Sequence, residues 1–209
     1  MGLLNLDVLR RASLSREPFE FLIVSDVVTP EAKLSLERDF PRIPRAGSFP
    51  VSELVYGPSF SALLAELRGP GLRSVLSEKF GMELAGLPTM VTVRGRCHPG
   101  HDGQVHTDAT WKVISLLLYL NDGWQSAGGR LRLLRSENLD DVAAEVPAES
   151  GALVAFRRSE RSFHGHKPFD GERRVIQVNW VTSQRMIDRE LARHRRTAWL
   201  KRLVPFGAR

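Results

Sequence analysis

The chain has 209 residues, 42% hydrophobic and 26% charged, a balance that builds one sizeable core in a single globular domain. Its single cysteine, Cys97, excludes a disulfide framework and a cysteine-rich zinc site within one chain. The net charge of +6 raises the question of nucleic acid, but no interleaved aromatics and no recognised nucleic-acid module accompany it, so nucleic acid is not the expected partner. The amino terminus acquires Asp7 too early for a secretory signal, and no apolar run approaches the ~20 residues that span a bilayer, so a cytoplasmic location is expected.

Residues 1–88 read as a supporting segment of helices and strand. Residues 19–24 have strand composition and lead to Thr29-Pro30-Glu31, a cap residue, an N1 proline and an acidic first turn that announce a helix. Residues 41–57, with Pro41, Pro44, Gly47, Pro50 and Gly57, form a loop-rich link. Two short helices are expected over 58–67 and 72–80, followed by Gly69 and Gly81.

Residues 99–103, Pro-Gly-His-Asp-Gly, form a glycine-rich loop before His106-Thr107-Asp108. In an extended segment residues i and i+2 point to one side, so His106 and Asp108 can converge on one ion where a helix would splay them. A second imidazole, for which His164 is the candidate, must arrive from a distant strand. Two imidazoles and a carboxylate on one face form a donor set that suits Fe(II) and leaves positions open. Lys112, four residues after Asp108, can meet an anionic group or stand as a solvated charge.

Residues 113–120 are an apolar run of strand length closed by the turn Asn121-Asp122-Gly123. Counting by twos puts Val113, Ser115, Leu117 and Tyr119 on one face, and the two buried hydroxyls there need partners, in nearby backbone or in a ligand. Residues 151–156 repeat the buried-strand pattern. After His164-Gly165-His166-Lys167-Pro168 comes an alternating strand, 174–180, whose positions Arg174, Ile176, Val178 and Trp180 form an apolar face that starts with a guanidinium. A cation there needs an anion, either a ligand carboxylate or the neighbouring Asp170 or Glu172. Residues 183–209 read as a basic amphipathic C-terminal helix, with Arg185, Arg189, Arg193, Arg195, Arg196, Lys201 and Arg202 against Ile187, Leu191 and Trp199.

On these residues, from Thr89 to Thr182, the chain resembles the 2-oxoglutarate- and Fe(II)-dependent dioxygenases, in their prolyl 4-hydroxylase-like branch. The resemblance implies a mostly β fold with flanking helices, a double-stranded β-helix (jelly-roll, cupin-like) core over 89–182. It implies Fe(II) on His106, Asp108 and His164, the last chosen over His166 because it precedes Pro168 by four. It implies 2-oxoglutarate bound by Arg174, which lies ten residues after His164 and six before Trp180, whereas Arg173 meets one of those counts. Tyr119 and Ser115 match hydroxyl positions of the co-substrate pocket, and His98 stands where the family often has a tyrosine. The activity implied is hydroxylation of an unactivated carbon in an amino acid, a peptidyl group or a small metabolite, with 2-oxoglutarate converted to succinate and CO2 and ascorbate a candidate stimulant. The alternative is a non-catalytic or sensory module that keeps the metal and 2-oxoglutarate sites without turnover.

Overall fold

Alternation within single strands sorts the interior into two apolar layers. In the computed structural model, which describes residues 2–100 and 102–192, strand β4 (Lys112–Tyr119) sends Ile114, Leu116 and Leu118 into one layer and Leu117 and Tyr119 into the other. Strand β9 (Gly171–Val181) does the same, with Ile176, Val178 and Trp180 in the first layer and Val175 in the second. A strand buried on both faces has to be apolar throughout, which is why β4 reads as a continuous greasy run.

The first layer lies between a six-stranded sheet and the helices. Its strands are β1 (Phe21–Val24), β2 (Phe49–Pro50), β3 (Thr89–Cys97), β4, β7 (Leu153–Arg157) and β9, in the order β1-β7-β4-β9-β3-β2, with every pairing antiparallel. Helices α2 (Pro30–Asp39), α3 (Pro58–Arg68) and α4 (Pro70–Phe80) supply Leu36, Phe60, Leu63, Leu67, Leu72 and Leu76. Each of these helices begins on a proline, where the missing N–H has no intrahelical partner to lose. Gly81 ends α4 in the left-handed region at φ 58°. Thr29 occupies the N-cap position of α2 without a side-chain cap bond, so the proline and Glu31 carry that start. A further helix, α1 (Leu6–Arg11), was not among the expected elements; six residues with one buried side chain, Leu9, leave too little periodicity to read.

The second layer lies between the six-stranded sheet and a three-stranded sheet, β6-β5-β8, made of β5 (Arg132–Leu134), β6 (Val142–Glu145) and β8 (His164–Gly165). Phe21, Leu131, Leu133, Val146, Val154 and Phe156 fill it. Two antiparallel sheets enclosing a core, with helices covering the outer face of the larger one, give the jelly-roll fold its layers. The expected strands over 113–120, 151–156 and 174–180 are β4, β7 and β9, and the short β5, β6 and β8 were not individually anticipated.

Of the basic C-terminal helix, residues 184–192 are helical, and Ile187 packs on Met90 and Val181. Arg193, Arg195, Arg196, Trp199, Lys201 and Arg202 lie outside the described residues, as does His101. No helix among the described residues is long and apolar enough to cross a membrane.

Candidate metal centre and co-substrate cavity

His106 and His164 meet because their backbones form an antiparallel bridge. The His106 N–H donates to the His164 carbonyl at 3.1 Å and the His164 N–H donates back at 3.0 Å, which brings the two rings to a centroid separation of 4.4 Å. Asp108 follows two residues later, and ligand atoms of all three side chains lie within 4.8 Å of one another. His106 is exposed, whereas Asp108 and His164 are buried.

The hydrogen bonds at this cluster decide what it can hold. His106 Nδ1 lies 2.8 Å from the Gln104 carbonyl and His164 Nδ1 lies 2.9 Å from the Ser162 carbonyl. A carbonyl only accepts, so both Nδ1 atoms carry the proton and both Nε2 atoms keep their lone pairs for a metal. Burial pushes the His164 imidazole down to about 4 despite the opposing charge of Asp108, so it is a neutral ligand at physiological pH. Burial alone would raise the Asp108 carboxyl. The charges of Lys112 and His164, with hydrogen bonds from Lys112 and Ser115, outweigh it and hold the group at about 2. Two imidazoles that present Nε2 and an ionised carboxylate suit a divalent cation, and the donor set is one that suits Fe(II).

Asp108 is held from two sides. Lys112 Nζ donates to Oδ1 at 2.5 Å, the Ser115 hydroxyl donates to Oδ2, and Asn179 Nδ2 donates to Ser115 Oγ at 2.7 Å. Ser115 and Asn179 are fully buried register partners on β4 and β9. The hydroxyl of Ser115, expected in the co-substrate pocket, therefore serves the carboxylate of the metal cluster instead and does not line the cavity. Replacing Ser115 by alanine frees the carboxylate to turn, and iron affinity is expected to fall ~10–100-fold, measured by competition with a chelator. Ser115→Thr, which keeps the hydroxyl, should retain it.

A cavity of ≈ 230 Å³ opens beside the cluster, with His106 and His164 in one wall and Arg173, Arg94, Gln177, His166 and Leu131 among the others. Arg173, not Arg174, is the β9 guanidinium that lines it. Arg173 is 2% exposed, its Nε donates to the Gly129 carbonyl at 2.8 Å, and its Nη2 donates to Tyr119 Oη at 3.1 Å. Its guanidinium also stacks 5.2 Å from the Tyr119 ring centroid. Burial raises the Tyr119 phenol, which keeps its proton as a donor.

Arg174 corrects the sequence expectation. It shares the strand face of Ile176, Val178 and Trp180, which packs on the helices, and its own side chain lies over the Phe40 ring at 5.3 Å. Its Nε pairs with Glu172 at 2.7 Å, so of the two anions left open for it the neighbouring carboxylate is the one it meets. The signal that separates the arginines is polar periodicity: Arg173, Gln177 and Asn179 stand at odd positions, and that face looks into the jelly roll. The count to Trp180 followed the other face.

His98 is likewise displaced from its expected place. It is exposed, its Nδ1 lies 2.7 Å from the Pro99 carbonyl, and it does not line the cavity. The β3 bulge between Arg94 and Arg96 precedes it, and the β3 side chain on the cavity wall is Arg94, which the sequence reading passed over. His166 lines the cavity with its Nε2 4.0 Å from Cys97 Sγ, outside the metal cluster. Gly103 is needed beside it: φ is 88°, and a Cβ there would lie 2.6 Å from the His166 ring.

Residues 92–182 match the family model of the 2OG-Fe(II) oxygenase superfamily. No curated protein matches the chain in sequence. Among solved structures, the chain is similar to a Pseudomonas putida prolyl-4-hydroxylase at 21% identity and TM-score 0.52, covering 84% of this chain and 90% of that one. It is also similar to a prolyl 4-hydroxylase from Phytophthora capsici at 19% identity and TM-score 0.54, covering 78% of this chain and 59% of that one. The matched segment carries the metal cluster and the cavity arginines, so this part of the chain is similar to the 2OG-Fe(II) oxygenase superfamily, and the fold is similar to that of the prolyl 4-hydroxylase structures.

Proposed function

We propose that this chain hydroxylates an unactivated C–H bond of an amino acid, a peptidyl group or a small metabolite, consuming dioxygen and converting 2-oxoglutarate to succinate and CO2. The observation that carries this reading is the cavity itself, which is lined by the two imidazoles of the metal cluster and by a buried guanidinium. A 2-oxo acid with a second carboxylate has groups for both. Iron with 2-oxoglutarate and dioxygen, when bound, supplies the oxidising chemistry, and the protein supplies binding, orientation and exclusion of water.

In this reading His106 and His164 present Nε2 and Asp108 one carboxylate oxygen to Fe(II), with Ser115 and Lys112 setting the carboxylate's orientation and charge. Arg173, oriented by the protonated Tyr119, holds the distal carboxylate of 2-oxoglutarate, taking over the role the sequence reading gave to Arg174. A guanidinium suits that role because its planar donors match a carboxylate. The buried wall formed by Leu117 and Leu131 limits water around the bound co-substrate. The exposed side of His106 leaves the substrate approach on the outer face. The structures of similar fold are titled prolyl 4-hydroxylases, so peptidyl proline is the first substrate to screen.

The test is an anaerobic titration of the metal-free protein with Fe(II) and then 2-oxoglutarate, followed by an aerobic assay of succinate release. A visible charge-transfer band on adding 2-oxoglutarate, and succinate formed in stoichiometry with a hydroxylated product, is the expected result. A band without any turnover across the substrate panel would favour the sensory module, and iron loaded without a band would remove the oxygenase reading.

A further inference from the structure

The co-substrate cavity contains a second guanidinium whose position asks for an explanation. Arg94 stands on β3 directly opposite Val175 of β9, and Val175 lies between Arg173 and Gln177 on the inward face. Diagonal neighbours on adjacent strands have their Cβ atoms about 7–8 Å apart, within reach of two long side chains that turn towards one point. Arg94 and Arg173 also exert their charges on the same two buried groups, Cys97 and Tyr119. Both arginines therefore serve the same part of the cavity.

Arg94 is engaged but not buried. Its Nη1 donates to Asp102 Oδ1 at 2.6 Å, and the side chains are 30% and 6% exposed. Asp102 also lines the cavity and accepts the His98 N–H at 3.2 Å. A carboxylate thus already occupies Arg94 at the cavity wall, and it has the same chemistry as the distal group of a dicarboxylic 2-oxo acid. Arg173 has two of its five donors committed to Gly129 and Tyr119, while a carboxylate offers about four lone-pair sites.

We propose that Arg94 is a second binding residue for the distal carboxylate of 2-oxoglutarate, and that Asp102 competes with the co-substrate for it. The proposal rests on the cavity being the 2-oxoglutarate site. Asp102 then keeps Arg94 compensated when the cavity holds no co-substrate, and gives way when the incoming carboxylate arrives. The consequence is an affinity set by an exchange of one carboxylate for another, which a single buried arginine does not provide.

The competition predicts opposite signs for the two partners, and an ion pair that only supports the fold predicts the same sign. Calorimetric titration of 2-oxoglutarate into Mn(II)-loaded protein reads both. Asp102→Asn is expected to tighten binding by roughly 3- to 10-fold, and Arg94→Met to weaken it by roughly tenfold or more, with Arg94→Lys in between. Thermal melts of the same samples separate binding from folding; if Arg94→Met does not fold, the sign of Asp102→Asn alone decides. Weaker or unchanged binding in Asp102→Asn overturns the proposal while leaving the 2-oxoglutarate site intact. Absence of binding in the wild type removes the site and the proposal together.

Discussion

Arg173→Leu is expected to raise the Kd for 2-oxoglutarate of the metal-loaded protein by about 30-fold or more, while Arg174→Leu changes it by roughly twofold at most. The first figure follows from the ~2–5 kcal/mol cost of truncating one partner of a buried, hydrogen-bonded charge pair. Arg173 is 2% exposed and is fixed by Gly129 and Tyr119, so Arg173→Leu removes a buried, preoriented guanidinium from the cavity wall. The second follows from the place of Arg174 outside the cavity lining, where its partners are Glu172 and the Phe40 ring; substitutions at partly exposed sites of this kind change free energies by about 0.5 kcal/mol. Calorimetry with Mn(II) in place of Fe(II) checks both, and the comparison is internally controlled because the two residues are neighbours on one strand. Equal losses in both variants would mean that β9 as a whole, rather than the inward guanidinium, carries the affinity. A large loss in Arg174→Leu alone would restore the expectation drawn from the count to Trp180.

Asp108→Ala is expected to lower iron affinity by more than about 100-fold, since even the groups that orient a metal ligand are worth ~10–100-fold. The carboxylate is the single anionic donor of the cluster, and without it the two imidazoles leave the metal's charge uncompensated in a buried place. Metal content after dialysis and the anaerobic titration with 2-oxoglutarate both read the loss. The substitution also strands Lys112, whose side chain is 12% exposed and pairs with Asp108, so a drop in stability accompanies it. Asp108→Ala combined with Lys112→Met removes the stranded charge. Stability should recover in the double variant and iron binding should not, which separates the role of the carboxylate as ligand from its role as ion-pair partner. Iron retained at wild-type affinity in either variant would refute the cluster as the metal site.

The short hydrogen-bonded path from Asn179 through Ser115 to Asp108 links these two experiments. It lies on the same inward faces of β4 and β9 that carry Tyr119 and Arg173, so one pair of strands fixes both the metal carboxylate and the far end of the cavity. Side chains on paired strands in the sheet interior have little freedom to reorient, and preorganised groups of this kind are what an oxidising site requires of its protein.

Much of this was legible in residue order because it depends on local rules. The i, i+2 spacing of His106 and Asp108 in an extended segment puts both on one side whatever the rest of the chain does. The greasy run that became β4, the proline starts of α2, α3 and α4, and the shared face of Ser115 and Tyr119 follow from periodicity and backbone chemistry alone. Tertiary structure decided which face of a strand looks inward. β9 is buried on both faces, so an apolar stripe marks the helix-facing side as readily as the cavity side, and Arg174 with Trp180 fell on the former. It also decided the partner of Ser115 and the places of Arg94 and His98. Those depend on a bulge that shifts register after Arg94 and on contacts between residues as far apart as Ser115 and Asn179. The meeting of His106 with His164 is of the same kind, because the backbone bridge that joins them closes 58 residues of chain, a pairing set by the packing of two sheets and by no local pattern.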